Sequence, residues 1–114
     1  MHRLVLVLAA LLLAIPASAE PTPTTVGGVE TGDSLFNDCD DPGEMACISY
    51  VGGIAEVMLA DTIFGFRVCM PLEATNEEAV DIVKAFLAKH PNFRHFQAAG
   101  LVAAAFAEAW PCLE

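Results

Sequence analysis

Positive charge is scarce in this chain. Lys and Arg together number 5 against 15 Asp and Glu, and the formal net charge is −10. Nucleic acid and anionic lipid surfaces are therefore poor partners, because both repel such a chain, while a basic protein is attracted. A second long apolar run is also missing. The one present, Leu4 to Ile15, is twelve residues long, too short to span a bilayer. It follows a positive head, Met1-His2-Arg3, and ends at Pro16 before the small residues Ala17-Ser18-Ala19. That pattern predicts a secretory signal over 1–19, cleaved after Ala19, and hence a soluble protein exported from the cytoplasm.

Beyond Ala19 the chain has 95 residues, enough for one domain, with 15 acids against 4 Lys and Arg, a formal charge of −11. CxxC pairs are absent, and the four cysteines, Cys39, Cys47, Cys69 and Cys112, have spacings that fit no zinc finger. An even number of cysteines in a small exported domain reads as two disulfides.

Catalytic motifs are equally scarce. Ser34 and Ser49 are the serines beyond the signal, and neither sits in a nucleophile elbow. Asp38, Asp40 and Gly43 mimic a calcium loop, but Pro42 and Ser49 stand where that loop needs an oxygen ligand and a bidentate glutamate. Gly52-Gly53 lacks the third glycine and preceding strand of a phosphate loop. It reads instead as a place where another helix presses close. His90 and His95 lie across a proline and form no standard ligand pair. No enzyme chemistry, metal or cofactor is expected.

What the sequence does contain is helical pattern. Residues 20–30, EPTPTTVGGVE, form a disordered or extended leader, and 31–114 form the domain. TGDSLFNDC, 31–39, predicts a short helix capped by Thr31 or Asp33. Residues 45–61 predict a second, with Ile48, Val51, Gly52, Ala55 and Leu59 on one stripe, widened by Tyr50, Ile54 and Met58 to cover much of its circumference. Thr75 followed by Glu78 is a capping-box start for a third, with Ala79, Ile82, Val83, Phe86 and Leu87 on its apolar face. Lys89 and His90 close it, Pro91-Asn92 makes a corner, and Arg94 and His95 open a fourth helix that runs to about Trp110. In that corner Arg94 can bond free carbonyls of the turn or an acidic neighbour. The fourth helix carries so little charge that it needs cover on most sides, as the centre of a bundle or against a second subunit.

The expected fold is thus all-α, a small four-helix bundle with two disulfides. Sequence alone allows three cysteine pairings. Up-down order places the end of the first helix beside the start of the second, and Cys69 beside the end of the fourth. That favours Cys39–Cys47 and Cys69–Cys112. One further stretch stands out: Ile63, Phe64 and Phe66, followed by Arg67, lie on the connector between the second and third helices. They either plug the bundle end or form a protruding apolar patch with an arginine, the composition of a protein-binding hot spot.

In order along the chain, the motifs DSLFNDC, CISYVGGIAEV, VCMP, HPNFRH and LVAAAFAEAWPC resemble the Rap/Tai family of immunity proteins. The shared order is Cys…CxxYxxG…CxP…HPxxRH…PC, over roughly 31–112. The resemblance implies a helical, often dimeric periplasmic protein. It would bind a peptidoglycan amidase toxin of type VI secretion and occlude its active-site cleft. It implies that Cys39, Cys47, Cys69 and Cys112 form disulfides, and that Tyr50, Gly53, His90, Pro91, Arg94 and His95 are framework residues. The toxin-contacting loop lies outside that signature. An alternative reading of the charge is a small periplasmic acid-stress chaperone, whose apolar faces are freed when its carboxylates protonate.

Overall fold

A computed structural model describes residues 29–40 and 44–113. The signal segment 1–19 and most of the expected leader lie outside the described residues.

The described residues form four α-helices and no strand longer than an isolated bridge: α1 Gly32–Asp40, α2 Met45–Met58, α3 Asn76–Lys89 and α4 Ala98–Ala109, with a short 3-10 turn at Pro91–Phe93. Their starts follow local chemistry. Thr31 Oγ1 accepts the Ser34 amide at 3.2 Å and caps α1. Thr75 Oγ1 accepts the Glu78 amide at 3.1 Å and caps α3. Glu77 and Glu78 lie in the first turn of α3 and Lys89 in its last, as the helix dipole favours.

Helix α2 packs along α3, α3 along α4, and α1 touches all three. The core runs through Leu35, Val51, Val83, Leu87, Val102 and Phe106, all essentially inaccessible. Helix α4 is the central one, burying Ala98, Leu101, Val102, Ala103, Ala105 and Phe106. Cys39 pairs with Cys47 and Cys69 with Cys112. The first disulfide is wholly buried at one pole, whereas Cys69 is exposed at the other. There the Cys69 amide also donates to the Trp110 carbonyl at 2.9 Å. On the chain-entropy model, links closing 8 and 43 residues contribute about 2.5 and about 4 kcal/mol.

Three local expectations change. Helix α2 stops at Met58 rather than Asp61, because its last turn tightens, with the Ala60 amide on the Val57 carbonyl at 3.1 Å. Its buried line is Cys47, Val51, Ala55 and Met58, since the disulfide turns Cys47 inward; Ile48 and Leu59 are left exposed. The leader does not extend through Glu30, whose carbonyl accepts the Ala98 amide at 2.9 Å.

The glycine reading is also corrected. Nothing lies within 4 Å of a Cβ built on Gly53, and only Asn76 Oδ1, at 3.8 Å, is near one on Gly52. No helix presses there. The close approach is at Gly32, where a Cβ would collide with Leu101 Cδ1 and lie 2.8 Å from both the Cα and the carbonyl oxygen of Arg94. Gly53→Ala is therefore expected to raise stability by about 1 kcal/mol, the helix-propensity difference at an open site. Gly32→Ala is expected to lower it by about 1–3 kcal/mol through overpacking against backbone. Chemical denaturation of the two variants checks both signs.

Candidate functional site

The connector after α2 makes a tight β-hairpin. The Phe66 amide donates to the Ile63 carbonyl at 2.9 Å, and the two apical residues, Phe64 and Gly65, have φ of 50° and 80°. Two left-handed residues in succession match the two-residue turn that joins twisted strands. Glycine adopts that geometry freely, but a phenylalanine does so under strain. The Phe64 side chain is nevertheless 68 % exposed. Its ring rests on α4 at Gly100, where a Cβ would lie 3.4 Å from Phe64 Cδ2.

The four connector residues do not form one patch. Ile63 is partly buried against the core. Phe64 and Phe66 line an open groove of about 640 Å³, together with Phe86, Phe93, Phe96, Gln97, Gly100, Leu101 and Ala104. Arg67 turns the other way, into a shallow hollow with Met58, Leu59 and Asp61 at the end of α2. Gln97 is the only polar side chain lining the groove. Phe93 and Phe96, roughly half exposed, form its far wall. Those two rings were not singled out from the sequence. The signal was available, because residues 82–107 contain no Asp or Glu while holding Phe86, Phe93 and Phe96.

The corner beside that wall, His90 to His95, is a ladder of rings. His90 lies 4.4 Å from Phe86 and 5.4 Å, nearly parallel, from Phe93; His95 lies 4.1 Å from Phe96. Pro91 opens the 3-10 turn. Helix α4 begins at Ala98, not at Arg94-His95. The Phe96 amide folds back on the Phe93 carbonyl at 3.0 Å, and Gln97 is extended where it bridges Thr31. The Arg94 side chain also departs from expectation. Its guanidinium lies over the Phe36 ring, 4.1 Å from the centroid, a cation–π contact, while Nε is enclosed without a hydrogen-bond partner. The Arg94 carbonyl does the bonding, accepting the Asp33 amide at 2.7 Å.

Tyr50 projects toward the start of α4. Burial raises its phenol above the ordinary tyrosine value, and the nearby Glu30 carboxylate raises it further; a hydrogen bond from the Ala99 amide partly offsets this. Gly53 stands exposed on the far side of α2 from any neighbour.

Among the described residues no group of three or more His, Cys, Asp or Glu is placed to hold a metal ion. No described helix is long and apolar enough to cross a membrane. The arrangement is a rigid helical body that presents an aromatic groove.

Residues 31–112 match the sequence model of the Rap1a immunity proteins. The chain belongs to that family. This is the family that the ordered motifs resemble, and the match covers the whole bundle from the Thr31 cap to the second disulfide. No curated protein and no solved structure matches the chain. In this Rap1a member the six positions expected from the motif resemblance to be framework fall in two places: Tyr50 and Gly53 on α2, and His90, Pro91, Arg94 and His95 around the ladder behind the groove.

The raised Tyr50 value carries a pH dependence. The neutral phenol is favoured in the fold, so its contribution is fully present below the unfolded value near 10 and is lost as pH rises through the folded value. Thermal melts are expected to drop as pH climbs above about 10, and Tyr50→Phe is expected to flatten that drop.

Proposed function

We propose that the protein is an exported immunity protein that binds a peptidoglycan amidase delivered by type VI secretion and occludes its active-site cleft in the periplasm. In this reading it is a binding protein and catalyses nothing. Family membership supports the immunity role. Two disulfides and the apolar segment Leu4–Ile15 support export.

The observation that carries the binding surface is Phe64. A large apolar ring at the apex of a hairpin, in a left-handed conformation and mostly exposed, contributes little to the core. Strain of this kind persists where function requires it. The hairpin over 63–67 forms the element that meets the toxin: Phe64 and Phe66 supply apolar contact and Ile63 anchors the hairpin base, while Arg67, turned toward Asp61 on the other side, offers a separate polar contact. His90, Pro91, Arg94 and His95 hold the opposite wall, and Tyr50 steadies the start of α4. In solution the bound form is one protomer or a homodimer of this chain.

Pull-down from a periplasmic extract with the full chain is expected to capture a secreted cell-wall hydrolase, and deletion of the protein is expected to sensitise cells to their kin. Recovery of no such hydrolase, with unchanged survival, refutes the reading. Phe64→Gly separates binding from folding. Relief of a left-handed non-glycine residue gains about 1–2 kcal/mol, offset by about 0.5–1 kcal/mol of glycine entropy. The melting temperature is therefore expected to hold or rise, while toxin affinity falls more than about tenfold, as for loss of a central aromatic anchor.

A further inference from the structure

The groove is built from two stretches of chain, 62–72 and 82–107. Neither contains a single one of the 15 Asp and Glu residues. Between them they hold Arg67, Lys84, Lys89 and Arg94, every Lys and Arg of the chain except Arg3, and also His90 and His95. Three of these basic groups, Lys89, His90 and His95, lie against residues that line the phenylalanine groove. Of these groups, Lys89 lies beside the groove residue Phe86, His90 lies between Phe86 and Phe93, and His95 lies against Phe96. Lys84 is taken up by Glu44 at 3.6 Å, and Arg94 by the Phe36 ring. Glu108 beside Lys89 and Asp61 beside Arg67 line neighbouring hollows rather than the groove, and Glu30, whose carbonyl holds the Ala98 amide, is not among its lining residues.

We infer that the groove receives an apolar segment of a partner protein flanked by carboxylates. Its aliphatic or aromatic side chains lie between Phe64 and Phe96, and its acids meet Lys89, His90 and His95 at the rim. Charge complementarity selects this occupant. A second copy docked groove to groove would oppose like charges. An anionic bilayer is repelled by the net charge, and a concave site suits an inserted side chain better than a flat surface. This deepens the immunity reading and rests on it for one point, that the natural occupant belongs to the toxin.

The test uses the full chain at neutral pH and two synthetic probes. One is acetyl-Glu-Asp-Leu-Ile-Leu-Asp-Glu-amide; the other has Lys at every acidic position. Binding is followed by calorimetry and by amide shifts of Gly100, Phe64 and Phe96. The acidic peptide is expected to bind at least about tenfold more tightly than the basic one, and more weakly as salt is raised. Lys89→Glu with His95→Glu is expected to reverse the order. Phe96→Ala, with its melting temperature checked, is expected to weaken both peptides. Equal affinity for the two peptides, a preference for the basic one, or no shift at Gly100 overturns the inference. So does association with phosphatidylcholine–phosphatidylglycerol vesicles in place of the peptides, or self-association that Phe96→Ala abolishes. The two readings fail separately. Peptide binding without capture of a hydrolase removes the amidase and keeps the groove, whereas a captured hydrolase indifferent to Phe96→Ala removes the groove and keeps immunity.

Discussion

The arrangement depends on a short antiparallel contact between the start of α1 and the turn before α4. The Gly32 amide donates to the Phe96 carbonyl at 3.0 Å, the Asp33 amide to the Arg94 carbonyl at 2.7 Å, and the Ala98 amide to the Glu30 carbonyl at 2.9 Å. These bonds satisfy backbone groups that the helix termini would otherwise leave open. They also hold Gln97 extended, so that α4 starts only at Ala98. As a result Phe93 and Phe96 splay outward as a wall instead of winding into α4. Only glycine at position 32 lets the two backbones come so close.

That contact connects stability to function. Arg94 is fixed by its carbonyl and by the Phe36 ring, both on the α1 side, while its neighbours His95 and Phe96 face the groove. The hairpin on the other side is held by different means: Ile63 in the core, the Phe64 ring on Gly100, and the Cys69–Cys112 link at its far end. The two walls therefore come from independently anchored segments. A groove of this kind keeps its width without side chains filling it.

Charge shows how an average misleads. The composition points to a basic partner, and at long range the net charge does attract one. Locally the sign differs, because the acids are spread over all four helices and the turns between them but skip 62–72 and 82–107, the two segments that line the groove. Steering and docking are thus governed by opposite fields on one molecule, which is compatible with a partner of mixed charge.

Caps and breakers made the helices legible: Thr31, Thr75 with Glu78, and Pro91 each mark a boundary that the fold keeps. Up-down order was enough to favour the disulfide pairing, because Cys39 and Cys47 lie at facing helix ends, while Cys112 follows α4 and Cys69 lies on the connector that leads into α3. The sequence by itself also determined which faces are apolar. It did not determine what lies against them, because periodicity reports a residue's direction and not its neighbour. Gly52-Gly53 looked like a packing site, yet Gly53 faces open space and Gly52 meets only Asn76 at ordinary contact distance, while Gly32, at the start of the first helix, carries the tightest approach. Phe64 and Phe96, 32 positions apart, became opposite walls only when α4 passed between them with Gly100 uppermost. Such a meeting depends on how three rods cross, and that is decided by the sum of many side-chain contacts, not by any local run of residues.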